Sequence, residues 1–179
     1  MGFKVGQKVV YPNHGIGTIE RIEQKQIGAA LLPFYTLRLA ANNSLVLVPV
    51  SNASEVGLRS PISSGECEML LKALADDFAS PAHDWKDRFK DFSEKMRTGD
   101  IFEVAEVVRN LAIRHADKGL STGEKQMFSK AKKILASELM YAREFSEDEA
   151  NAFLETVLED IHVDGPALAD DSREPAPVV

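Results

Sequence analysis

The spacing of apolar residues changes at Ser60-Pro61, and no single kind of secondary structure accommodates both sides of that point. Before it, apolar and β-branched residues sit in short runs broken by turn residues, the pattern of strands. After it, they recur every three to four residues, the pattern of helices with one face buried. The chain therefore has to build a β module and then a helical one, and its 179 residues allow two small units.

The β half reads as four or five short strands. Lys4–Tyr11 is closed by Pro12-Asn13-His14-Gly15, and Ile16–Ile22 follows, with Gly15 and Gly17 as turn or bulge positions. Phe34–Leu39 alternates, and Leu45–Val50 is β-branched and apolar but holds Pro49, which cannot donate to a ladder and so places that strand at an edge or a bulge. Val56–Arg59 reads as a short closing strand. So many strands in about 60 residues favour closure into a small barrel, SH3-like or Tudor-like, because closure removes exposed edges.

In the helical half, an oxygen-bearing side chain is followed three residues later by Glu at Ser63/Glu66, Asp100/Glu103, Ser121/Glu124 and Ser146/Glu149. Each pair is a capping-box signal for a helix start. Asp84 caps a further helix after the break at Pro81, and Gly99 and Gly119 stand where helices end. The expected helices run over about 64–79, 85–97, 101–118, 122–143 and 147–160. Phe102, Ala105, Val108 and Ala112 share one face, as do Met127, Ala131, Ile134 and Leu135. The fold class is thus α+β with two domains: a small barrel over 1–62, an all-α bundle of about five helices over 63–161, and a disordered acidic tail over 162–179.

Charge is uneven. The net value is −7, but residues 144–179 hold eleven acidic groups against Arg173 alone, which leaves the first 143 residues at +3. Within Lys86–Arg143 thirteen basic residues face nine acidic ones. A basic middle is either a solvated helix face or a surface for phosphates, whose counterions it would release. Chemistry of other kinds finds little support. His14, His83, His115 and His162 are scattered, no HExxH occurs, Gly123-Glu124-Lys125 lacks the rest of a P-loop, and Gly15-Ile16-Gly17 is too short for a dinucleotide fingerprint. Asp76 with Asp77 and Asp87 with Asp91 lack a partner motif. The single cysteine, Cys67, excludes an intrachain disulfide and reads as an inert structural thiol. No apolar run approaches the ~20 residues of a membrane span, and residues 1–8 lack the apolar segment of a signal peptide. The expectation is a cytoplasmic, monomeric, non-enzymatic protein without cofactor or metal.

Trp85, the only tryptophan, opens the second helix beside Lys86, Arg88 and Lys90. Its spacing to Phe89, Phe92 and Met96 fits a core stripe. Its first-turn position equally allows it to project past the bundle, where an indole among cations can stack on a base or wedge into a DNA step. Lys125, at a helix N-terminal turn, is a further cation placed for phosphate.

The sequence resembles the CarD/CdnL family of bacterial transcription regulators. In the first half the resemblance rests on Phe3-Lys4-Val5-Gly6-Gln7-Lys8-Val9-Val10-Tyr11-Pro12 with His14-Gly15-Ile16-Gly17, and on Val48-Pro49-Val50, Asn52-Ala53 and Val56-Gly57-Leu58-Arg59. In the second it rests on Asp84-Trp85 with Arg88 and Lys90, Gly99-Asp100 leading into Val104–Arg109, and Gly119-Leu120-Ser121 with Gly123-Glu124-Lys125. It spans about residues 1–160. The resemblance implies a Tudor-like domain similar to the polymerase-interacting domain of the transcription-repair coupling factor, docking on the β subunit of bacterial RNA polymerase through Lys25, Gln26, Ile27, Val46 and Leu47. It implies a helical domain contacting promoter DNA at the upstream edge of the bubble, with Trp85 as a minor-groove wedge and Arg88, Lys90, Lys125 and Lys86 on phosphates. Nucleoid association then comes through polymerase. Some members carry basic side chains where Leu47 stands, which shifts the expected polymerase contact toward strand-edge pairing and apolar contact. The rival reading is a barrel module that binds ribosomal or other RNA, since the same barrel supports both uses.

Overall fold

In the computed structural model, residues 2–75 and 84–164 are described, Trp85 and residues 161–164 by their backbone alone. The expectations for His83, Asp76, Asp77, the last turn of the first helix and the tail beyond Asp164 fall outside this range.

The first half folds as an antiparallel meander of β1 (Lys8–Tyr11), β2 (Gly15–Ile27), β3 (Ala30–Leu39) and β4 (Leu45–Pro49), in that spatial order. The sheet curls into a half-barrel around Val9, Ile19, Tyr35, Leu37, Val48, Ala53 and Leu58. β1 is shorter than the alternation predicts, because residues 5 and 6 form a turn. The closing strand is a single bridge between Val10 and Arg59. Pro49 does end a terminal strand, as its missing N–H requires. The register of β2 shifts between Ile19 and Arg21, past the glycines, so that Glu20 and Arg21 are accommodated within the curled sheet.

β2 and β3 run on beyond the curl. Pairing continues from Ile22–Tyr35 to Ile27–Ala30, closing at Gly28. At about 3.3 Å per residue this adds a two-stranded arm roughly 17 Å long, with exposed apolar residues along it.

The helices are α1 (Ser64–Ala75), α2 (Trp85–Thr98), α3 (Ile101–Asp117), α4 (Thr122–Arg143) and α5 (Glu147–Asp164). Reciprocal capping boxes form at Ser63/Glu66, Ser121/Glu124 and Ser146/Glu149. At Asp100 the aspartate caps alone by accepting from Phe102 N–H, while Glu103 accepts from the Thr98 hydroxyl. α3 is the hub, touching the other four helices. Its burial extends well past the Phe102/Ala105/Val108/Ala112 stripe, to Val104, Val107, Leu111 and even Arg109, Asn110 and Arg114. A helix apolar around most of its circumference belongs at the centre of a bundle. Cys67 is fully buried in this core.

The sheet and the bundle are locked together. Arg59, the residue bridged to β1, donates from Nη1 and Nη2 to Glu138 of α4, at 3.1 and 2.5 Å, and from Nε and Nη2 to the carbonyl of Gly99. Glu138 is wholly buried and also accepts from Ile62 N–H. Pro12, in the β1–β2 turn, rests on Gly99 so closely that a Cβ there would lie 2.6 Å from the Pro12 ring. Gly99 also ends α2 at φ +77°, a conformation costly for any residue with a Cβ.

Candidate nucleic-acid and partner interface

The start of α2 is fixed first by its cap. The Asp84 carboxylate accepts from the backbone N–H groups of Lys86 and Asp87, the ordinary solution for the unpaired donors of a first turn. Trp85 is the first helical residue, and its side chain lies outside the described residues. Lys86 and Lys90 are exposed. Arg88 is not: only 3% of it is accessible, and it lies on the core side with Phe92 and Met96 at i+4 and i+8. It donates to Glu124 through Nε and Nη2, both at 3.4 Å. A guanidinium so enclosed is committed to the protein interior, and a phosphate could reach it only after rearrangement. Its signal was the 88–92–96 spacing itself, which places it on the buried face.

Glu124 does three things at once. It completes the α4 capping box, accepting from Ser121 N–H and hydroxyl. It receives Arg88. It also stands 3.2 Å from Arg114 Nε of α3, itself buried. Burial alone would raise this carboxyl, but the two Ser121 bonds and the Arg114 and Arg88 charges outweigh it, and the group stays below the usual carboxylate range. The consequence is geometric. The first turns of α2 and α4 are tied to each other and to α3, with Phe89 packed against Gly123. Lys125, the next residue, is exposed at the α4 N-terminal turn, where the helix dipole adds to its charge. Among the described residues no carboxylate lies within salt-bridge distance of Lys86, Lys90 or Lys125, whereas Lys95, Arg97 and Lys132 are all paired.

The residues predicted on the sheet separate by strand parity. Lys25 faces Leu32, Ile27 faces Ala30 and Leu47 faces Thr36, and all three lie on the outer side of the sheet. Gln26 and Val46 point to the opposite side, Val46 against the barrel core. Lys25 is paired with Glu23 at 3.3 Å, so it is not a lone cation. The outer side gains one residue the sequence reading did not name, Leu32, exposed beside Ile27; Leu45, which opens the strand expected at that surface, is exposed beside Leu47. The signal for Leu32 was the continued β pattern through Ala30–Leu32. β4 is terminal in the sheet, so its outer edge is not covered by another strand.

Among the described residues, no group of three or more His, Cys, Asp or Glu gathers that could hold a metal, and no helix is long and apolar enough to cross a membrane.

The two halves each match a family model: the CarD-like/TRCF RID domain over residues 3–62, and the CarD C-terminal domain over residues 69–155. The chain belongs to the CarD-like family. A curated relative, "Putative transcription factor YdeB" of Bacillus subtilis (strain 168), is 34% identical over 155 residues, covering 84% of this chain and 99% of that protein. Membership spans both modules and most of the length, so this CarD-like protein is a transcription regulator. Within that family frame, the buried Arg88–Glu124–Arg114 group separates the cations near α2 into a structural set and an exposed set.

Proposed function

We propose that this regulator binds RNA polymerase through the outer side of its sheet and stabilises the promoter open complex through the paired starts of α2 and α4. The observation that carries the reading is that the first turns of α2 and α4, which bear Lys86, Lys90 and Lys125, are tied together by the buried Glu124, while these three lysines are exposed and, among the described residues, have no carboxylate partner. Point cations on phosphates position a protein without reading sequence. An indole at position 85 can wedge into a step that is already opening, where the unstacking cost of a few kcal/mol is partly met. Attachment to polymerase raises the local concentration, so weak intrinsic DNA affinity suffices for an acidic protein. Arg88 acts here by holding α2 in place. On the sheet, Ile27, Leu32, Leu45 and Leu47 supply apolar contact, and the β4 edge offers backbone pairing to the β subunit.

The test uses the full chain. Trp85→Ala should fold, be captured by polymerase normally, and shorten open-complex lifetime roughly tenfold, equivalent to about 1.4 kcal/mol of lost contact. Ile27→Glu with Leu47→Glu should do the reverse: DNA binding is kept and capture by polymerase is lost. An unchanged open-complex lifetime with folded Trp85→Ala removes the wedge from the mechanism.

A further inference from the structure

α4 carries only two acidic residues, Glu124 and Glu138, and both are turned inward and matched by arginine: Glu124 by Arg88 and Arg114, Glu138 by Arg59. Its outer face is left with Lys125, Gln126, Ser129, Lys130 and Lys133, which line a shallow depression of about 440 Å³. Lys132, at the margin, is neutralised by Glu155 of α5. Among the described residues Lys130 and Lys133 have no carboxylate within salt-bridge distance. They also border a second hollow of about 410 Å³, where α4 meets the sheet and Asn13, His14 and Asn42 stand on the opposite wall; Glu147 and Asn151 of α5 close its end. Three lysines without a carboxylate partner among the described residues, on a helix with no exposed acid, make a surface whose natural complement is a polyanion.

We infer that the outer face of α4 is a phosphate track that continues the DNA contact from Lys125 through Lys130 and Lys133 to the turns of the sheet. This rests on the open-complex reading above and extends it from a junction contact to a stretch of upstream duplex. The dimensions agree. Lys125 to Lys133 is eight residues, about 12 Å at 1.5 Å per residue. One strand of B-DNA places a charge every ~3.4 Å of axis, so the track spans three to four phosphates. Ser129 and Gln126, between the lysines, add uncharged donors of the kind that position a backbone without specifying sequence.

The experiment measures binding of the full chain to a labelled fork-junction duplex between about 50 and 200 mM salt, for the wild type, Lys130→Gln/Lys133→Gln, Lys125→Gln and, as a control, Lys72→Gln on α1. The double variant should weaken binding roughly tenfold at low salt and lower the slope of log K against log salt by about 1–2, equally for unrelated sequences. Lys72→Gln should change neither. If Lys125→Gln weakens binding and the double variant does not, the track is wrong while the junction contact stands. If neither does, and Trp85→Ala is also silent, the open-complex reading fails with it. If DNA binding is intact but capture by polymerase falls, the face belongs to a protein partner and the inference is overturned. A weakened affinity with an unchanged slope also overturns it, since that is the mark of altered structure.

Discussion

Replacing Glu124 with alanine should lower the stability of the folded chain by about 3–5 kcal/mol, because it removes the carboxylate that Arg88 and Arg114 share while both stay enclosed. A further ~1 kcal/mol goes with the Ser121 capping box. Against a total of about 5–15 kcal/mol for a domain of this size class, that is a large fraction. Glu124→Gln should cost less, since an amide oxygen can still accept from Ser121 and fill the same volume, while the charge is gone. Denaturant midpoints at fixed slope read the difference; a loss under about 1 kcal/mol for the alanine variant would show that the triad holds nothing. The pH dependence has a definite sign. Because the folded-state carboxyl lies below its ordinary value, its contribution is present above the unfolded value near 4.5 and is lost as pH falls through the folded one. The stability gap between wild type and Glu124→Gln should therefore narrow on acidification below about pH 4.5. Function follows, since the same carboxylate aligns the first turns of α2 and α4.

Much of this was written locally in the sequence. Ser63, Ser121 and Ser146 announce their helices because a capping box needs only four consecutive residues, and Gly99 announces a helix end because it takes a backbone angle few residues accept. Pro49 narrowed β4 to an edge or a bulge, and the sheet order makes it the edge. What local pattern could not supply was the destination of charged groups. Arg88 reads as one of several cations near a tryptophan, yet its stripe-mates Phe92 and Met96 carry it into the core. Glu138, amid Ile134, Leu135, Leu139 and Met140, reads as an interruption; its partner Arg59 is 79 residues away, and no local pattern pairs them. The β2–β3 arm was underestimated because its outer residues bury little, so alternation, a signal of burial, fades while the hydrogen-bonded ladder continues.

The Glu138 pairing makes the second large prediction. On the proposed reading the protein holds polymerase at one end and DNA at the other, and it gains from the tether only if the two surfaces keep a fixed relation; a loose joint would spread the proposed wedge over positions where it cannot act. Arg59 spans that joint, its fork divided between Glu138 and the Gly99 carbonyl, which is also the end of the helix that Trp85 begins. Glu138→Ala leaves Arg59 half-enclosed and Ile62 N–H without its acceptor, and should cost about 2–4 kcal/mol in denaturation. Arg59→Lys is the sharper test of function. It keeps the charge but cannot satisfy a carboxylate bidentately and a carbonyl together. At temperatures where the variant is fully folded, capture by polymerase and affinity for a fork-junction duplex should each stay within about twofold of wild type, while open-complex lifetime falls by roughly fivefold or more. A lifetime equal to wild type would mean that the latch serves folding alone and that the two modules act through the tether without a set geometry.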